Sequence, residues 1–464
     1  MTFRNKKAFF GLIAGVGAGF AVSFLPVADP GRDALIALGI LAGAVCFWVT
    51  DVLPDYMVAL LMCTLWIVTG IASFQDAFGA FNSSTFWLLF GAFAICVAVS
   101  KCGLLKRIAL RIIRRFPANY KGQTAAMLLS GFVIAPLIPS STAKAVLSAA
   151  IGAETSQALG YEPYGRAATG LFLSAYMGYG QTGPVFQSAC VISFLLRGAL
   201  PAHVQASLTW LGWFESMIVW AVVFLVGSYI SLLLLYAPKI DKACPRDYIE
   251  RMIADQGPLR RDEKITAVVL ILCLLLWITE PLTGLNAVVT ALLAAVVLCF
   301  AGVLRERELL REMQWGLLLF VGAVLGMSNV FSLLGINDWL IRLLRPVVSA
   351  IGNPIPLFSA VALLTLLTRT VIVSMSASLV LFMAILSPVV EPLGISPFIM
   401  GIVVYTSMQI FFLKYQNISF LPALGQAAGI VRHGDTIKMS AAYFVVSLAG
   451  IVLSVPYWAH LGFI

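Results

Sequence analysis

The chain has 464 residues, of which 61% are hydrophobic and only 11% are charged, so its composition excludes a soluble globular domain and indicates a polytopic membrane protein. The formal net charge of +9 does not indicate nucleic-acid binding, because the basic residues form short clusters between apolar runs, as orientation in a bilayer requires. The sequence contains neither a Walker A loop nor a nucleophile elbow, so we expect neither an ATP-driven pump nor an enzyme.

The apolar runs predict an all-α chain with eleven membrane-spanning helices. Each run is close to the roughly 20 residues that a bilayer requires. The first predicted span lies within residues 1–33 and follows the basic residues Arg4, Lys6 and Lys7. The other predicted spans lie at 34–50, 56–72, 85–100, 166–184, 208–236, 265–282, 286–303, 315–334, 397–413 and 440–462.

Two further apolar segments, 123–153 and 355–391, are each interrupted by a polar tip. The first tip lies within 136–144, which reads PLIPSSTAK, and the second lies at 374–378. The bilayer core contains no water that could form hydrogen bonds with the N–H and C=O groups of non-helical backbone. Non-helical residues at that depth must therefore be buried in protein or line an aqueous cavity. The arms on either side of each tip are too short to span, so we predict two re-entrant hairpins whose tips form a binding site.

The basic residues orient this topology. With the N-terminus inside, loops rich in Lys and Arg at 101–121, 239–264 and 305–311 fall on the cytoplasmic side. If either hairpin were a full span, the loops after it would be inverted. The positive-inside rule therefore predicts one hairpin opening to each side of an inner (cytoplasmic) membrane, with the N-terminus in the cytoplasm and the C-terminus outside.

The two halves of the chain are related by an internal repeat. FWVTDVLP at 47–54 recurs as LWITEPL at 276–282, and the tip at 140–143 aligns with 374–377. Because the two hairpins open to opposite sides, the repeats are inverted, as in secondary transporters that bind substrate near the membrane midplane. The predicted organisation is an N-terminal helix (1–33), a first repeat (34–200), a connecting helix and cytoplasmic linker (201–264), a second repeat (265–430) and a C-terminal helix (431–464).

The residues of the tips suit an anion. Hydroxyl groups and the amide N-terminus of the helical arm after each tip would hold one carboxylate at each tip. The alternative is that the hydroxyl groups only cap the broken helices. Met375 would face the carbon skeleton of the substrate. The predicted hydroxyl donors are Ser140, Ser141, Thr142, Ser374 and Ser376.

The order and spacing of these motifs resemble the divalent anion/sodium symporter family. The residues that carry the resemblance are the tips PSSTAK and SMSAS, the segment QGPLRRDEKITAVVLILCLLLWIT, and YQN at 415–417. The family's Ser-Asn-Thr triplet is altered at both tips, because Ser141 and Met375 stand in place of its asparagines. PSSTAK is most similar to the branch of citrate/succinate and 2-oxoglutarate/malate exchangers. The resemblance implies a homodimer in which a mobile transport region moves against a scaffold like an elevator.

The resemblance also implies contacts outside the tips. The family places substrate or ion contacts in an unwound stretch that here contains Gln181 and Thr182, and Gln416 and Asn417 are the repeat partners of that stretch. We expect all four of these side chains to contribute to the site.

Placing the charged side chain of Lys144 at membrane depth costs free energy, and its positive charge also opposes the dipole of the helix after the tip. Sodium-coupled relatives bind the cation behind each tip, and an ammonium group about 4 Å away would repel it by roughly 4 kcal/mol at an effective dielectric constant near 20. We therefore predict that Lys144 replaces the first sodium ion. Its repeat equivalent is Ser378, so the candidates at the second tip are Lys414, unless it snorkels to the surface, and Arg369, unless it pairs with hairpin carbonyls.

These features predict a sodium-independent exchanger of small divalent organic anions such as C4 or C5 dicarboxylates. With fixed cations, the empty site is a buried uncompensated charge, so only the loaded carrier should cross the bilayer. The alternative is a sodium- or proton-coupled symporter of a dicarboxylate, citrate, a sulfonate or sulfate, with a sodium ion at the second hairpin as its cofactor. A channel is a more remote alternative. The expected partners are the anion, the lipid bilayer and a second copy of the chain.

Overall fold

The structure of the protein, a computed structural model, describes residues 6–27, 29–242 and 247–464. These ranges contain α-helices and short 3₁₀ turns but no β-strand. The helices up to residue 236 are α1 (Lys6–Ser23), α2 (Arg32–Thr50), α3 (Asp55–Val68), α4 (Phe74–Phe78), α5 (Ser84–Cys102), α6 (Leu104–Ile113), α7 (Tyr120–Ile134), α8 (Ser141–Ala158), α9 (Arg166–Gly180), α10 (Val191–Ala199), α11 (Ala202–Ser207) and α12 (Trp210–Tyr236).

The later helices are α13 (Asp247–Ala254), α14 (Arg261–Ile278), α15 (Glu280–Thr283), α16 (Ala287–Phe300), α17 (Glu306–Glu312), α18 (Trp315–Leu333), α19 (Ile336–Ile351), α20 (Pro354–Thr368), α21 (Met375–Val390), α22 (Pro397–Ser407), α23 (Phe420–Gln426) and α24 (His433–His460). The 3₁₀ turns are Gly79–Asn82, Ala135–Leu137, Gly183–Val185 and Glu391–Leu393.

Six helical segments in the described ranges are long and apolar enough to cross a membrane: α2, α5, α12, α18, α24 and Met375–Leu393. Five shorter apolar helices accompany them. Large apolar side chains are exposed on several of these helices, for example Leu234 on α12 and Phe300 on α16, as expected of surfaces that face lipid. The chain is therefore an all-helical, polytopic membrane protein, and the number of eleven spans with two re-entrant hairpins stays a prediction.

Each predicted hairpin segment contains two helices separated by a break. In the first, α7 and α8 are separated by 135–140, which contains Pro136 and Pro139. In the second, α20 and α21 are separated by 369–374. Serine begins the helix after each break because its hydroxyl oxygen accepts an otherwise unpaired amide: Ser140 accepts from the amide of Ala143, and Ser374 accepts from that of Ala377, both at 3.2 Å.

The order of helices repeats along the chain. The series α2, α3, α5, α6, α7, α8 and α9 corresponds in order to α14, α16, α18, α19, α20, α21 and α22. Two members of these series, α6 and α19, were not predicted. Both are amphipathic and carry arginines, and a search for continuous apolar runs does not find helices of that kind.

The helices pack in two groups. Helices α1, α2, α3, α5, α16 and α18 contact one another, whereas α9 packs against α7 and α8, and α24 packs against α12 and α22. The two groups meet at α10, which contacts α5 and α18 on one side and α21 and α22 on the other. Helices α7 and α9 approach so closely that a β-carbon added at Gly131 would lie 2.2 Å from the carbonyl carbon of Gly178. Glycine at both positions therefore permits the close packing of α7 against α9.

Candidate anion-binding site

The two tips face one cavity of about 230 Å³. Its walls consist of the two predicted tips, the first residues of α3 and α10, the start of α18 with the preceding Gln314, and residues of the loop after α22. The tip residues that line it are Ser140, Ser141, Thr142, Ser374, Met375 and Ser376. The walls that the structure describes contain no lysine or arginine, so the hydrogen-bond donors that line the cavity are uncharged.

The first tip presents a free hydroxyl group. The Oγ atom of Ser141 is buried and has no hydrogen-bond partner. Ser140 already caps α8, so its hydroxyl oxygen is engaged with the amide of Ala143. An unpaired polar atom in a buried site is costly, and a ligand that accepts a hydrogen bond from Ser141 would remove that cost.

The second tip is bonded to a carboxylate of the chain. The Oγ atom of Ser374 donates to Oδ2 of Asp55, the first residue of α3, at 2.7 Å. Ser378 is fully buried and supports the tip from behind, because its hydroxyl donates to the carbonyl oxygen of Ser374 at 2.8 Å. Ser378 does not line the cavity, whereas Met375 and Ser376 do.

Lys144 is fully buried behind the first tip and does not line the cavity. Its Nζ atom donates to the carbonyl oxygens of Ala189 at 2.8 Å and Ala135 at 3.3 Å. Ala135 precedes the tip, and Ala189 lies in the loop between α9 and α10. The ammonium group therefore occupies a pocket of backbone oxygens, and no carboxylate in the described part of the chain bonds to it.

Arg369 takes the corresponding place behind the second tip. It is fully buried, and its Nη1 atom donates to the carbonyl oxygens of Ile372 at 2.5 Å and Val373 at 2.9 Å, and to the hydroxyl of Ser378 at 3.3 Å. Its Nη2 atom donates to the carbonyl oxygen of Gln416. Both buried cations thus join a tip to a later loop: Lys144 bonds to the loop after α9, and Arg369 bonds to the loop after α22. Lys144 follows its tip in the sequence, whereas Arg369 precedes its own.

The other predicted site residues lie away from the cavity walls. Gln181 and Thr182 follow the end of α9, which is helical through Gly180, and they bond to Tyr176 and to the carbonyl oxygen of Gly178. The remaining residues belong to the loop after α22. In that loop Gln416 bonds to the carbonyl oxygen of Arg369, Asn417 bonds to Gln409, and Lys414 is exposed at the surface.

The comparison with known families decides what kind of protein carries this site. Residues 6–464 match the family described as the sodium:sulfate symporter transmembrane region. The chain belongs to this divalent anion/sodium symporter family. Family membership makes it a membrane transporter of anions and not an enzyme.

Several relatives in this symporter family are similar over most of their length. Dicarboxylate transporter 1 of the Arabidopsis thaliana chloroplast is 27% identical over 404 residues, which are 84% of this chain and 72% of the plant protein. The inner membrane protein YbhI of Escherichia coli is 25% identical over 81% of each chain. The putative malate transporter YflS of Bacillus subtilis is 26% identical over 73% of this chain and 72% of its own.

Two transporters of known structure share the fold, although their sequence identity to this chain is lower than that of the relatives above. The YdaH transporter of Alcanivorax borkumensis superposes with a TM-score of 0.58 at 16% identity, covering 84% of this chain and 88% of its own. MtrF of Neisseria gonorrhoeae superposes with a TM-score of 0.57 at 14% identity, covering 97% of this chain and 95% of its own.

Asp55 lines the cavity of this symporter-family protein and was not predicted. The sequence did contain a signal for it. In the alignment of 47–54 with 276–282, Asp51 has an acidic counterpart in Glu280, whereas Asp55 falls opposite Gly284. An acidic residue present in only one repeat, at the start of a membrane helix, is a candidate for a role that the repeat itself does not explain.

Proposed function

We propose that the protein is a secondary transporter that exchanges small divalent organic anions, C4 or C5 dicarboxylates, without sodium. The observation that carries this proposal is the pair of buried cations, Lys144 and Arg369, one behind each tip of the cavity. The names of relatives as dicarboxylate and malate transporters support the choice of substrate.

The backbone oxygens behind the tips are already bonded to these cations. A sodium ion at the second hairpin would need the carbonyl oxygens of Ile372, Val373 and Gln416, all of which accept hydrogen bonds from Arg369. A guanidinium group about 4 Å from a sodium ion would repel it by roughly 4 kcal/mol at an effective dielectric constant near 20. The residues present therefore do not fit a sodium ion there, which supports sodium-independent transport.

Charge balance then favours exchange over net transport. A dianion between the tips would be balanced by one buried cation behind each of them. The empty site keeps both positive charges, and moving an uncompensated buried charge through the bilayer costs several kcal/mol per ion. Only the loaded carrier would cross readily, so each anion that enters would require one that leaves.

The size of the cavity suits a small anion. Its volume of about 230 Å³ lies below the roughly 300–1,000 Å³ of sites for drug-sized ligands. Six hydroxyl-bearing side chains line it, five of them serine or threonine and the sixth Tyr415, and carboxylate oxygens accept hydrogen bonds from such donors. These features support a dicarboxylate with its two ends at the two tips.

We further propose an elevator movement, in which the hairpins move against the group formed by α1, α2, α3, α5, α16 and α18 in a homodimer. A wider cavity of about 520 Å³ adjoins the site between the end of α2 and the start of α18. The positive-inside rule assigns that end of the helices to the cytoplasm. The structure would then correspond to an inward-open carrier in an inner membrane, with the N-terminus in the cytoplasm and the C-terminus outside.

Reconstituted vesicles test the proposal. Vesicles preloaded with succinate should take up labelled succinate at the same rate with and without sodium, whereas empty vesicles should take up little. Sodium-dependent uptake into empty vesicles would refute exchange and support a symporter. Succinate, malate, 2-oxoglutarate, citrate and sulfate inside the vesicles would then identify which anions serve as the counter-substrate.

A further inference from the structure

Asp55 places a carboxylate of the chain itself inside the anion site. It lines both the cavity between the tips and the wider cavity that adjoins it. Its Oδ2 atom accepts a hydrogen bond of 2.7 Å from Ser374, and the indole of Trp48 bonds to its backbone oxygen at 3.2 Å, which holds the start of α3 in place. A residue of the first helix group is thus bonded to a hydroxyl at the second tip.

Ser374 has only one hydroxyl proton to give. Its oxygen already accepts from the amide of Ala377, and its proton goes to Asp55. A substrate carboxylate at the second tip requires the same proton. Asp55 and the substrate therefore compete for Ser374, and the anion can gain this hydrogen bond only if Asp55 loses it.

Among the described residues that line the two cavities around Asp55, none is a cation that would relieve the competition. The titratable side chains in the adjoining walls are Asp51 at the end of α2, Tyr56, Tyr415 and Cys190. The facing part of α18 contributes Leu317, preceded by Gln314, and neither is charged. On α4, which packs against the opposite end of α3, Asp76 bonds to Ser73. The buried cations behind the tips donate to backbone carbonyls or, in the case of Arg369, also to a hydroxyl.

We propose that Asp55 is a specificity-determining residue of the anion site, an internal carboxylate that competes with the substrate for Ser374 and so links anion binding to the uptake of one proton. This inference rests on the proposed function. The proton comes from hydronium or a buffer acid in the water of the open cavity: its bond to that donor breaks, an O–H bond forms on a carboxylate oxygen of Asp55, and the conjugate base returns to solution. The protonated side chain is a donor, so Ser374 can turn its own proton toward the substrate.

Succinate binding to the purified full-length protein tests this inference by isothermal titration calorimetry. The wild-type affinity should fall as the pH rises, by up to tenfold per pH unit where binding takes up one full proton. Asp55→Asn keeps an acceptor for Ser374 but has no charge, so it should bind succinate on the order of tenfold to a hundredfold more tightly near pH 8 and show a flatter pH profile. Asp262→Asn is the matched control, because Asp262 is exposed at the start of α14 and lines neither cavity, and it should keep the wild-type affinity and slope.

The wild-type protein supplies a second readout that needs no variant. Titrations in two buffers of different ionisation enthalpy should show close to one proton taken up per succinate near neutral pH. If no proton is taken up, or if Asp55→Asn binds succinate with the wild-type affinity and slope, the inference is wrong and the proposed function stands. If the wild-type protein binds none of succinate, malate, 2-oxoglutarate and citrate, both are wrong.

Discussion

Replacing Lys144 by methionine isolates the charge behind the first tip. Methionine keeps the length and most of the volume of the side chain but loses the ammonium group that donates to Ala135 and Ala189. If a carboxylate at the first tip binds about 7 Å from that ammonium group, it would lose roughly 2 kcal/mol of attraction at an effective dielectric constant near 20. We therefore expect the affinity for a dicarboxylate to fall by about 30-fold.

Transport should change in a second, independent way. The empty site of Lys144→Met carries one uncompensated charge instead of two, so the empty carrier should cross the bilayer more easily. We expect net uptake into empty vesicles to rise relative to exchange, even though both rates are reduced by weaker binding. The assay is labelled succinate uptake into loaded and empty vesicles from the same preparation.

Lys438→Met is the matched control, because Lys438 is exposed on α24. It should retain the wild-type affinity and the wild-type ratio of net uptake to exchange. An affinity of Lys144→Met within threefold of wild type, together with strict exchange, would show that Lys144 only holds the tip in place and does not balance the charge of the substrate.

Two further predictions concern stability. Arg107 forms a buried ion pair with Glu263 at 3.2 Å, so Arg107→Met should destabilise the protein by about 3–5 kcal/mol, and adding Glu263→Met should recover most of the loss in a thermal unfolding assay. Gly131→Ala should cost about 1–3 kcal/mol in the same assay because its β-carbon would overlap Gly178, whereas Gly17→Ala, with no atom within 4 Å, should cost far less. Equal unfolding temperatures for the two alanine variants would contradict the close packing of α7 and α9.

The polar tips could be predicted from sequence because two chemical signals coincide there. Proline and serine interrupt an apolar run at 136–142, and the repeat supplies a second interruption at 374–378. The structure brings residues of both tips to one cavity. A short segment that carries both a helix break and donor groups can be recognised without knowing how the helices pack.

The second cation and Asp55 could not be predicted in the same way. Alignment of the repeats places Ser378 opposite Lys144, so it gives no reason to prefer Arg369, whose long side chain reaches the same kind of carbonyl pocket from the other arm. Asp55 faces the second tip only because α3 packs beside α18. Both contacts depend on how separate helices are placed in space, which the periodicity of one segment does not determine.

Lys144 follows the first tip in the sequence, whereas Arg369 precedes the second. This difference allows a test of whether the site requires a positive charge or a particular residue. If transport needs a positive charge in each carbonyl pocket and not a particular residue, the charge of the second hairpin should be movable to the position that corresponds to Lys144. Arg369→Ala alone should weaken dicarboxylate binding by about 30-fold, by the same charge argument as for Lys144. Adding Ser378→Lys places an ammonium group one turn after the second tip, beside the carbonyl oxygens of Ile372 and Val373 that Arg369 would have left.

We expect the double variant Arg369→Ala with Ser378→Lys to recover at least tenfold of the lost affinity, and to regain exchange without net uptake. Ser378→Met in the Arg369→Ala background is the matched control for side-chain length, and it should recover nothing. A folded double variant that binds no better than this control would mean that the guanidinium fork of Arg369, which bonds to Ile372, Val373 and Gln416 together, is needed for the shape of the tip. Recovery would instead show that the two halves of the site are equivalent in charge although they differ in sequence. That equivalence would allow an inverted repeat to bind a symmetric dianion equally at both ends.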